Sequence, residues 1–315
     1  FILCCMALGT AQAQQPLGGF AYGIEAQPAG TEWEAPEKLS LNKEQPRAYF
    51  FAFGDVESAK KVHPESSKYW QNLNGTWKFH WAANPDARPK NFYEAQFDAD
   101  SWDDITVPSC WNVAGIQKDG SLKYGVPIYC NQPVIFKHTV AVGDWKGGVM
   151  REPNKDWTTY KYRNEVGSYR RTFTVSEDWK GREVYINFDG VNSFFYLWIN
   201  GKYVGFSKNS RNTASFNISD YLVKGENVVA VEVYRNSDGS FLEAQDMYRL
   251  PGIFRDTYLT STAPVELRDM KINTDLTDNG ASVEVNAMLR NLGKKAAKGY
   301  SLSYSVFENK LYSDE

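Results

Sequence analysis

Short stretches of alternating hydrophobic and polar residues recur along most of this 315-residue chain. Side chains on a β-strand point alternately to the two faces of a sheet, so a period of two predicts strands. No stretch of the sequence has a sustained helical period, and only single turns are expected at residues 58–61 and 219–222. The predicted strands cover residues 76–82, 168–175, 183–188, 193–200, 202–207, 214–217, 227–235 and 253–260. The pattern predicts an all-β fold in which two antiparallel sheets pack face to face.

The clearest predicted element is a hairpin within residues 193–207, FYLWINGKYVGF at its centre. Both alternating sets of residues in its first strand are apolar, which predicts burial on both faces. Asn200 and Gly201 then supply the two residues with positive φ that a type I′ turn requires. This hairpin is interpreted as scaffold.

A second segment, SDGSFLEAQDMYRLPGIFR at residues 237–255, carries many polar side chains in a loop. Asp238, Glu243, Asp246 and Arg249 fall within twelve residues of one another. Such a density of hydrogen-bonding groups on a loop favours recognition of a polyhydroxylated ligand.

At these residues the sequence resembles the N-terminal, sugar-binding part of bacterial β-galactosidases of glycoside hydrolase family 2. The similarity covers residues 34–315 and is weak only at residues 137–165, which are interpreted as an insertion. Six blocks in the same order carry it: LNGTWKFHW (73–81), VPSCW (107–111), PIYCN (127–131), DGVNSFFYLWINGKYVGFS (189–207), FNISDYLVKGENVVAVEVYR (216–235) and SDGSFLEAQDMYRLPGIFRD (237–256).

The resemblance implies a jelly-roll, galactose-binding-like sandwich over residues 34–263, with a domain boundary at Pro264. Residues 264–315 then have the pattern of about three strands of an immunoglobulin-like sandwich. Because such a sandwich needs roughly 100 residues, this second domain is predicted to be partial and the chain to be a fragment of a longer protein.

Residues 1–13 begin with eight apolar residues and end in the small-x-small pattern Ala11-Gln12-Ala13. This pattern is typical of a cleaved signal peptide and predicts a periplasmic or secreted protein. A buried N-terminal strand is the alternative. Residues 14–33 are interpreted as a linker or a poorly ordered arm.

Two residues are predicted to bind substrate because they match residues of the family's galactose subsite. Asp246, in the QD motif, is implied to contact sugar hydroxyls and a sodium ion, and Asn131, in PIYCN, to hydrogen-bond the sugar. A carboxylate suits both tasks because its oxygens accept hydrogen bonds and bind hard cations. The alternatives are an Asp246 ion pair with Arg249 or Arg255, and an Asn131 side chain that stabilises a turn.

Retaining glycoside hydrolysis requires two carboxyl groups about 5 Å apart. Glu243 and Asp246 are the obvious choice by spacing, but the resemblance implies that the catalytic glutamates belong to a later (β/α)8 barrel. No catalytic residue is therefore assigned in this chain. The magnesium site is implied to lie outside the chain as well. Trp111 is considered as a residue that could stack on a sugar ring.

The formal net charge is −3 and the pI near 5.8, so no basic stripe is available for phosphates and nucleic-acid binding is excluded. Attraction to a membrane surface is equally unsupported. Outside the leader the cysteines are Cys110 and Cys130. Export would permit a disulfide between them, and two free thiols are the alternative.

The leading hypothesis is the N-terminal part of a retaining β-galactosidase that hydrolyses terminal β-D-galactosides. Its partner is a galactoside-containing carbohydrate, and the resemblance implies homo-oligomers of the full-length protein. One alternative is a stand-alone carbohydrate-binding module. Another is a family 2 β-glucuronidase or β-mannosidase.

Overall fold

A computed structural model of the chain describes residues 27–130, 164–243 and 246–305. Its main body consists of two antiparallel β-sheets, so the prediction of an all-β sandwich is confirmed. The predicted leader, Asn131 and residues 137–163 of the predicted insertion lie outside the described residues. Within the described part of the chain, no helix approaches the length and hydrophobicity needed to traverse a bilayer.

Most of the strands are short, and the α-helices have four or five residues each. The strands are β1 (Ser40–Leu41), β2 (Trp70–Asn72), β3 (Gly75–Ala82), β4 (Asp103–Val107), β5 (Ile128–Cys130), β6 (Val166–Thr174), β7 (Glu183–Phe188), β8 (Val191–Asn192), β9 (Phe194–Ile199), β10 (Lys202–Ser207), β11 (Ala214–Asn217), β12 (Glu226–Tyr234), β13 (Met247–Arg249), β14 (Gly252–Ile253), β15 (Thr257–Thr262), β16 (Val265–Thr277) and β17 (Gly280–Asn291). The α-helices are α1 (Val56–Lys60), α2 (Trp111–Ala114) and α3 (Ser240–Glu243); 3-10 helices cover Glu32–Glu34, Pro64–Ser66, Pro85–Ala87, Glu177–Trp179 and Ser219–Tyr221.

The larger sheet has seven strands in the order β1-β10-β9-β12-β6-β3-β4, and the smaller has four in the order β11-β7-β15-β2. Three two-stranded pairs complete the described structure: β13 with β5, β14 with β8, and β16 with β17. All of these pairings are antiparallel. The pairs β13–β5 and β14–β8 lie where the chain leaves β12, which is also where the polar loop begins.

Two groups of buried apolar side chains hold the sandwich together. The first lies between the sheets and contains Phe195, Leu197 and Ile199 of β9. The second covers the outer face of the seven-stranded sheet, where Phe194 and its alternating neighbours pack against Trp33 of the N-terminal segment. The prediction that β9 is buried on both faces is confirmed. At its end, Asn200 and Gly201 have φ of 52° and 79°, as the predicted turn requires.

Strands β16 and β17 form a long hairpin after the sandwich, and β17 is fastened back to it by Arg290. The guanidinium of Arg290 forms ion pairs with Glu44 at 2.7 Å and Glu266 at 2.6 Å, and it donates to the Tyr185 hydroxyl at 2.8 Å. The carboxylates of Glu44 and Glu266 are nearly inaccessible to solvent. The N-terminal segment, the smaller sheet and the hairpin are therefore joined at one buried charge cluster.

The expected third strand of this second unit lies partly outside the described residues. Residues 301–305 carry no strand, although Leu302 and Tyr304 continue the alternating pattern. A strand needs a hydrogen-bonding neighbour, and among the described residues β16 and β17 pair only with each other in their sheet. The alternating pattern at these residues is therefore not accompanied by a described strand with which they could pair.

Candidate functional site

The short strand pair β5–β13 carries the polar loop's most accessible functional groups. Tyr129 pairs with Tyr248 in its register, and the two rings lie 5.3 Å apart, with 55% and 62% of each residue exposed. Asp246 directly precedes β13 and is also exposed. The Tyr129 hydroxyl donates a hydrogen bond to Asp246 Oδ1. The structure therefore presents a carboxylate at the surface with one oxygen held by a neighbouring strand.

Asn131, the second predicted sugar ligand, lies outside the described residues. It follows Cys130 directly in the chain, and Cys130 is the register partner of Met247. Asp246 directly precedes that Met247. The two predicted ligands, Asn131 and Asp246, are therefore the chain neighbours of the register partners Cys130 and Met247.

Two other acidic residues of the loop are occupied by scaffold contacts. Asp238 forms a buried ion pair with Lys208 at 2.8 Å, and Lys208 also donates to the Ala35 carbonyl. Burial raises the pKa of Asp238 and lowers the pKa of Lys208, so desolvation outweighs their mutual attraction. Glu243 accepts hydrogen bonds from the Ser210 amide at 2.9 Å and hydroxyl at 2.5 Å. Neither carboxylate is presented to solvent as Asp246 is.

The two arginines proposed as alternative partners of Asp246 bind backbone carbonyls. Arg249 Nη1 donates to the Glu243 carbonyl at 3.2 Å, and Arg255 Nη1 donates to the Arg211 carbonyl at 2.9 Å. Both contacts secure the loop. The suggestion that Trp111 stacks on a sugar is wrong, because Trp111 is fully buried and packs beside Phe79 at 6.0 Å between ring centroids.

A buried ion pair that sequence reasoning missed lies beneath the β5–β13 pair. Glu165 Oε1 and Arg235 Nη1 are 2.8 Å apart, with side-chain exposures of 0% and 2%. Arg235 Nη2 donates to the carbonyls of Val126 at 2.9 Å and Arg249 at 3.1 Å. The sequence feature that could have indicated this ion pair is Arg235, a charged residue that directly follows the mostly apolar run VVAVEVY.

The family resemblance implies a sodium ion at Asp246. The exposed Asp246 carboxylate is a hard oxygen donor, which fits a hard cation. No group of three or more His, Cys, Asp or Glu residues with metal-binding geometry occurs in the described ranges. The donor set therefore fits a partial site, in which Asp246 would supply one ligand.

A cavity of about 830 Å³ lies elsewhere, between residues 44–53, the smaller sheet and the β16–β17 hairpin. Neither Tyr129 nor Asp246 lines it. Several of its charged lining residues neutralise one another, namely Glu44, Glu266, Arg268 and Arg290. We therefore assign this space to the joint between the sandwich and the hairpin, and the exposed carboxylate marks the candidate site.

Most of the two-sheet sandwich is matched by a known protein family. Residues 70–263 match the family profile described as "Glycosyl hydrolases family 2, sugar binding domain". The chain belongs to this family. Within family 2, the Asp246 loop and β13 therefore fall inside the sugar binding domain.

Several relatives with high sequence identity to this chain are β-galactosidases. That of Priestia megaterium is 43% identical over 249 residues, which is 79% of this chain and 22% of the relative. That of Halalkalibacterium halodurans is 41% identical over 221 residues, covering 70% of this chain and 20% of the relative. A solved beta-glycosidase from Bacteroides vulgatus has 22% identity and a TM-score of 0.49, covering 72% of this chain and 25% of that one. The chain thus spans about a fifth of the length of these two β-galactosidases.

The thiol of Cys110 is free and partly accessible. Burial raises the pKa of this thiol, an effect that the nearby Arg211 opposes in part. The side chain of Cys130, the other member of the disulfide considered above, lies outside the described residues.

Proposed function

We propose that this chain provides the galactose-recognition part of a full-length β-galactosidase, with Asp246 and Asn131 as ligands of the galactosyl unit. The observation that carries the proposal is the exposed Asp246 carboxylate, held by Tyr129 within a family 2 sugar binding domain. The other acidic groups of the loop, Asp238 and Glu243, bind their own scaffold. The β-galactosidase relatives, one of them 43% identical over 249 residues, support galactose as the sugar.

The proposed chemistry of Asp246 is recognition. Its two oxygens can accept several hydrogen bonds, and one already accepts from Tyr129. The other oxygen would accept from a sugar hydroxyl, and the pair would also contribute one ligand to a sodium ion. The bond-cleaving carboxyl pair would lie elsewhere in the full-length protein, so the isolated chain would bind sugar without hydrolysing it.

The direct test replaces Asp246 by Ala in the full-length protein. A hydrogen bond to a charged group contributes about 1.5–3 kcal/mol. Loss of the one bond to the sugar hydroxyl therefore predicts a fall of about 10- to 100-fold in kcat/KM for 4-nitrophenyl β-D-galactoside. Asp220→Ala is the matched control, because Asp220 is an exposed aspartate beside Tyr221, whose carbonyl contacts the Asn200 turn at the far end of β9.

A change below twofold in the Asp246→Ala protein, or an equal fall in the control, contradicts the assignment. A panel of nitrophenyl β-galactoside, β-glucuronide and β-mannoside decides the sugar. We expect the galactoside to be preferred, and preference for either of the other two would replace galactose in the proposal. Hydrolysis of none by the full-length protein would favour a binding module without catalysis.

A further inference from the structure

The Glu165–Arg235 ion pair occupies a special position in the sandwich. Glu165 directly precedes β6 and Arg235 directly follows β12, two strands that pair along their whole length. The Arg235 amide donates to the Glu165 carbonyl at 2.9 Å, so the backbone ladder continues one step to the charged residues. Both side chains then turn into the interior at the end of the sheet, where β5 and β13 lie.

The guanidinium of Arg235 links both strands of the site to the sheet. Its Nη2 donates to the carbonyl of Val126, two residues before β5, and to that of Arg249, the last residue of β13. Its Nη1 pairs with Glu165. The planar fork of an arginine can hold acceptors in several fixed directions at once, which the single ammonium of a lysine cannot do.

Glu165 fixes the direction in which Arg235 points. Its Oε2 accepts hydrogen bonds from Trp111 Nε1 at 3.2 Å and from Asn112 Nδ2 at 3.3 Å. Both donors belong to α2, and Asn112 also donates to the Tyr124 carbonyl at 2.5 Å. The carboxylate is therefore held from a third element, and the guanidinium that it binds is held with it.

The strand pair that depends on this anchor is small. β5 and β13 have three residues each and form a sheet of their own, separate from the two large sheets. An isolated two-stranded pair is at best marginally stable, so its position depends on contacts with the body of the protein. Tyr129 and Asp246, which the pair presents, are exposed and gain little from burial.

We infer that the Glu165–Arg235 pair is a positioning element of the sugar site. It holds the β5–β13 pair, and with it Tyr129 and Asp246, in the place from which the carboxylate meets the sugar. This inference deepens the proposed function and rests on it.

The chain offers a matched control on the same strand. Arg88 and Glu232 form another ion pair, at 3.0 Å, in which Glu232 of β12 is 5% exposed. Within the described residues, its other side-chain hydrogen bonds are with Tyr234 and the Pro85 carbonyl, neither of which belongs to β5 or β13. Loss of the Arg88–Glu232 pair therefore removes a buried ion pair from the sandwich without removing a contact to β5 or β13.

The experiment compares Arg235→Lys with Arg88→Lys in the full-length protein, at a temperature well below the unfolding of either. The readouts are the inhibition constant of free galactose against nitrophenyl galactoside and the hydrogen exchange of peptides covering residues 126–130 and 246–250. Glu165→Gln and Glu232→Gln form a second matched pair, in case a lysine variant fails to fold. We expect the variants at Arg235 and Glu165 to weaken galactose binding at least tenfold and to accelerate hydrogen exchange in both peptides. The control variants at Arg88 and Glu232 should change neither quantity by more than twofold.

Unchanged exchange in both peptides, or galactose affinity within twofold of wild type in the site variants, overturns the inference. The double variant Glu165→Leu/Arg235→Met adds a further test, because two apolar residues often replace a buried pair without loss of stability. If this variant recovers galactose affinity, the pair acts only by avoiding an unpaired charge and the inference fails. If the wild-type protein hydrolyses no galactoside, the proposed function fails, and the exchange comparison alone decides whether the pair positions these strands.

Discussion

Gly125 gives a sharp test of how tightly the buried pair is packed. Gly125 has φ of 73°, and a Cβ placed there would lie 2.7 Å from Glu165 Cδ. Gly120, in the same segment, has φ of 81° but no heavy atom within 4 Å of such a Cβ. Alanine at either position therefore has the strain of left-handed backbone, and only Gly125→Ala also collides with the Glu165 carboxylate.

The cost of backbone strain and the cost of the collision with Glu165 can be separated by subtracting the loss of unfolding free energy in Gly120→Ala from that in Gly125→Ala. Left-handed backbone costs a non-glycine residue about 1–2 kcal/mol, which is the whole expected effect of Gly120→Ala. Forcing an extra carbon into a packed interior costs about 1–3 kcal/mol more, so Gly125→Ala should lose about 2–5 kcal/mol. For a domain of this size a difference of ~2 kcal/mol corresponds to roughly 4–8 °C in Tm.

Urea and thermal unfolding followed by tryptophan fluorescence would measure this difference. Trp111 donates to Glu165, so its emission should also shift in the folded Gly125→Ala protein and stay unchanged in Gly120→Ala. Equal losses of stability in the two variants would refute the reasoning, because they would show that Glu165 has room to move.

Three further outcomes are expected. Replacing sodium by potassium should lower galactosidase activity of the full-length protein several-fold, and Asp246→Asn should remove that difference; equal sodium dependence in the variant would rule out Asp246 as a ligand. Cys110 should be alkylated by iodoacetamide without prior reduction, and more slowly than free cysteine in solution because burial raises the pKa of its thiol. Mass spectrometry would measure the alkylation, and modification of Cys110 only after reduction would contradict a free thiol. Burial also raises the pKa of Glu232 above its ordinary value of 4.5, so the native state binds this proton more strongly than the unfolded state. The free energy of unfolding of wild type relative to Glu232→Gln should therefore rise as the pH falls through that raised pKa and level off below about 4.5. A difference between the two proteins that does not vary with pH would contradict a raised pKa for Glu232 in the native state.

Much of the sandwich could be predicted because several of its strands have four to nine residues, enough to show a period of two or, in β9, a continuous apolar run. Strands β3, β7, β9, β10, β11 and β12 match predicted segments to within one residue at each end. The pattern failed for the five-residue β4 and for β1, β2, β5, β8 and β13, which have two or three residues each. Two or three residues hold less than two full alternations, and the strand structure of these short elements comes from pairing with a segment that is distant in sequence.

The candidate site was predictable only in part for a similar reason. Asp246 stood out because its polar loop follows an apolar strand and matches a family motif. The support given by Tyr129 depends on the register of β5 with β13, residues that are more than one hundred positions apart. Arg235 and Glu165 meet through the register of β12 with β6, which no local pattern specifies.

The charge cluster around Arg290 makes the segment near Glu44 a structural partner of the β16–β17 hairpin. Glu44 supplies one of the two carboxylates bound by Arg290 and also faces Arg268 at 3.4 Å. Proteolytic trimming that removed Glu44 would leave Arg290 with Glu266 as its remaining carboxylate and would remove the carboxylate that faces Arg268, which would loosen the attachment of the last described hairpin. Tags, fusions or shortened expression forms that alter residues near Glu44 should therefore change the mobility of a hairpin more than two hundred residues downstream.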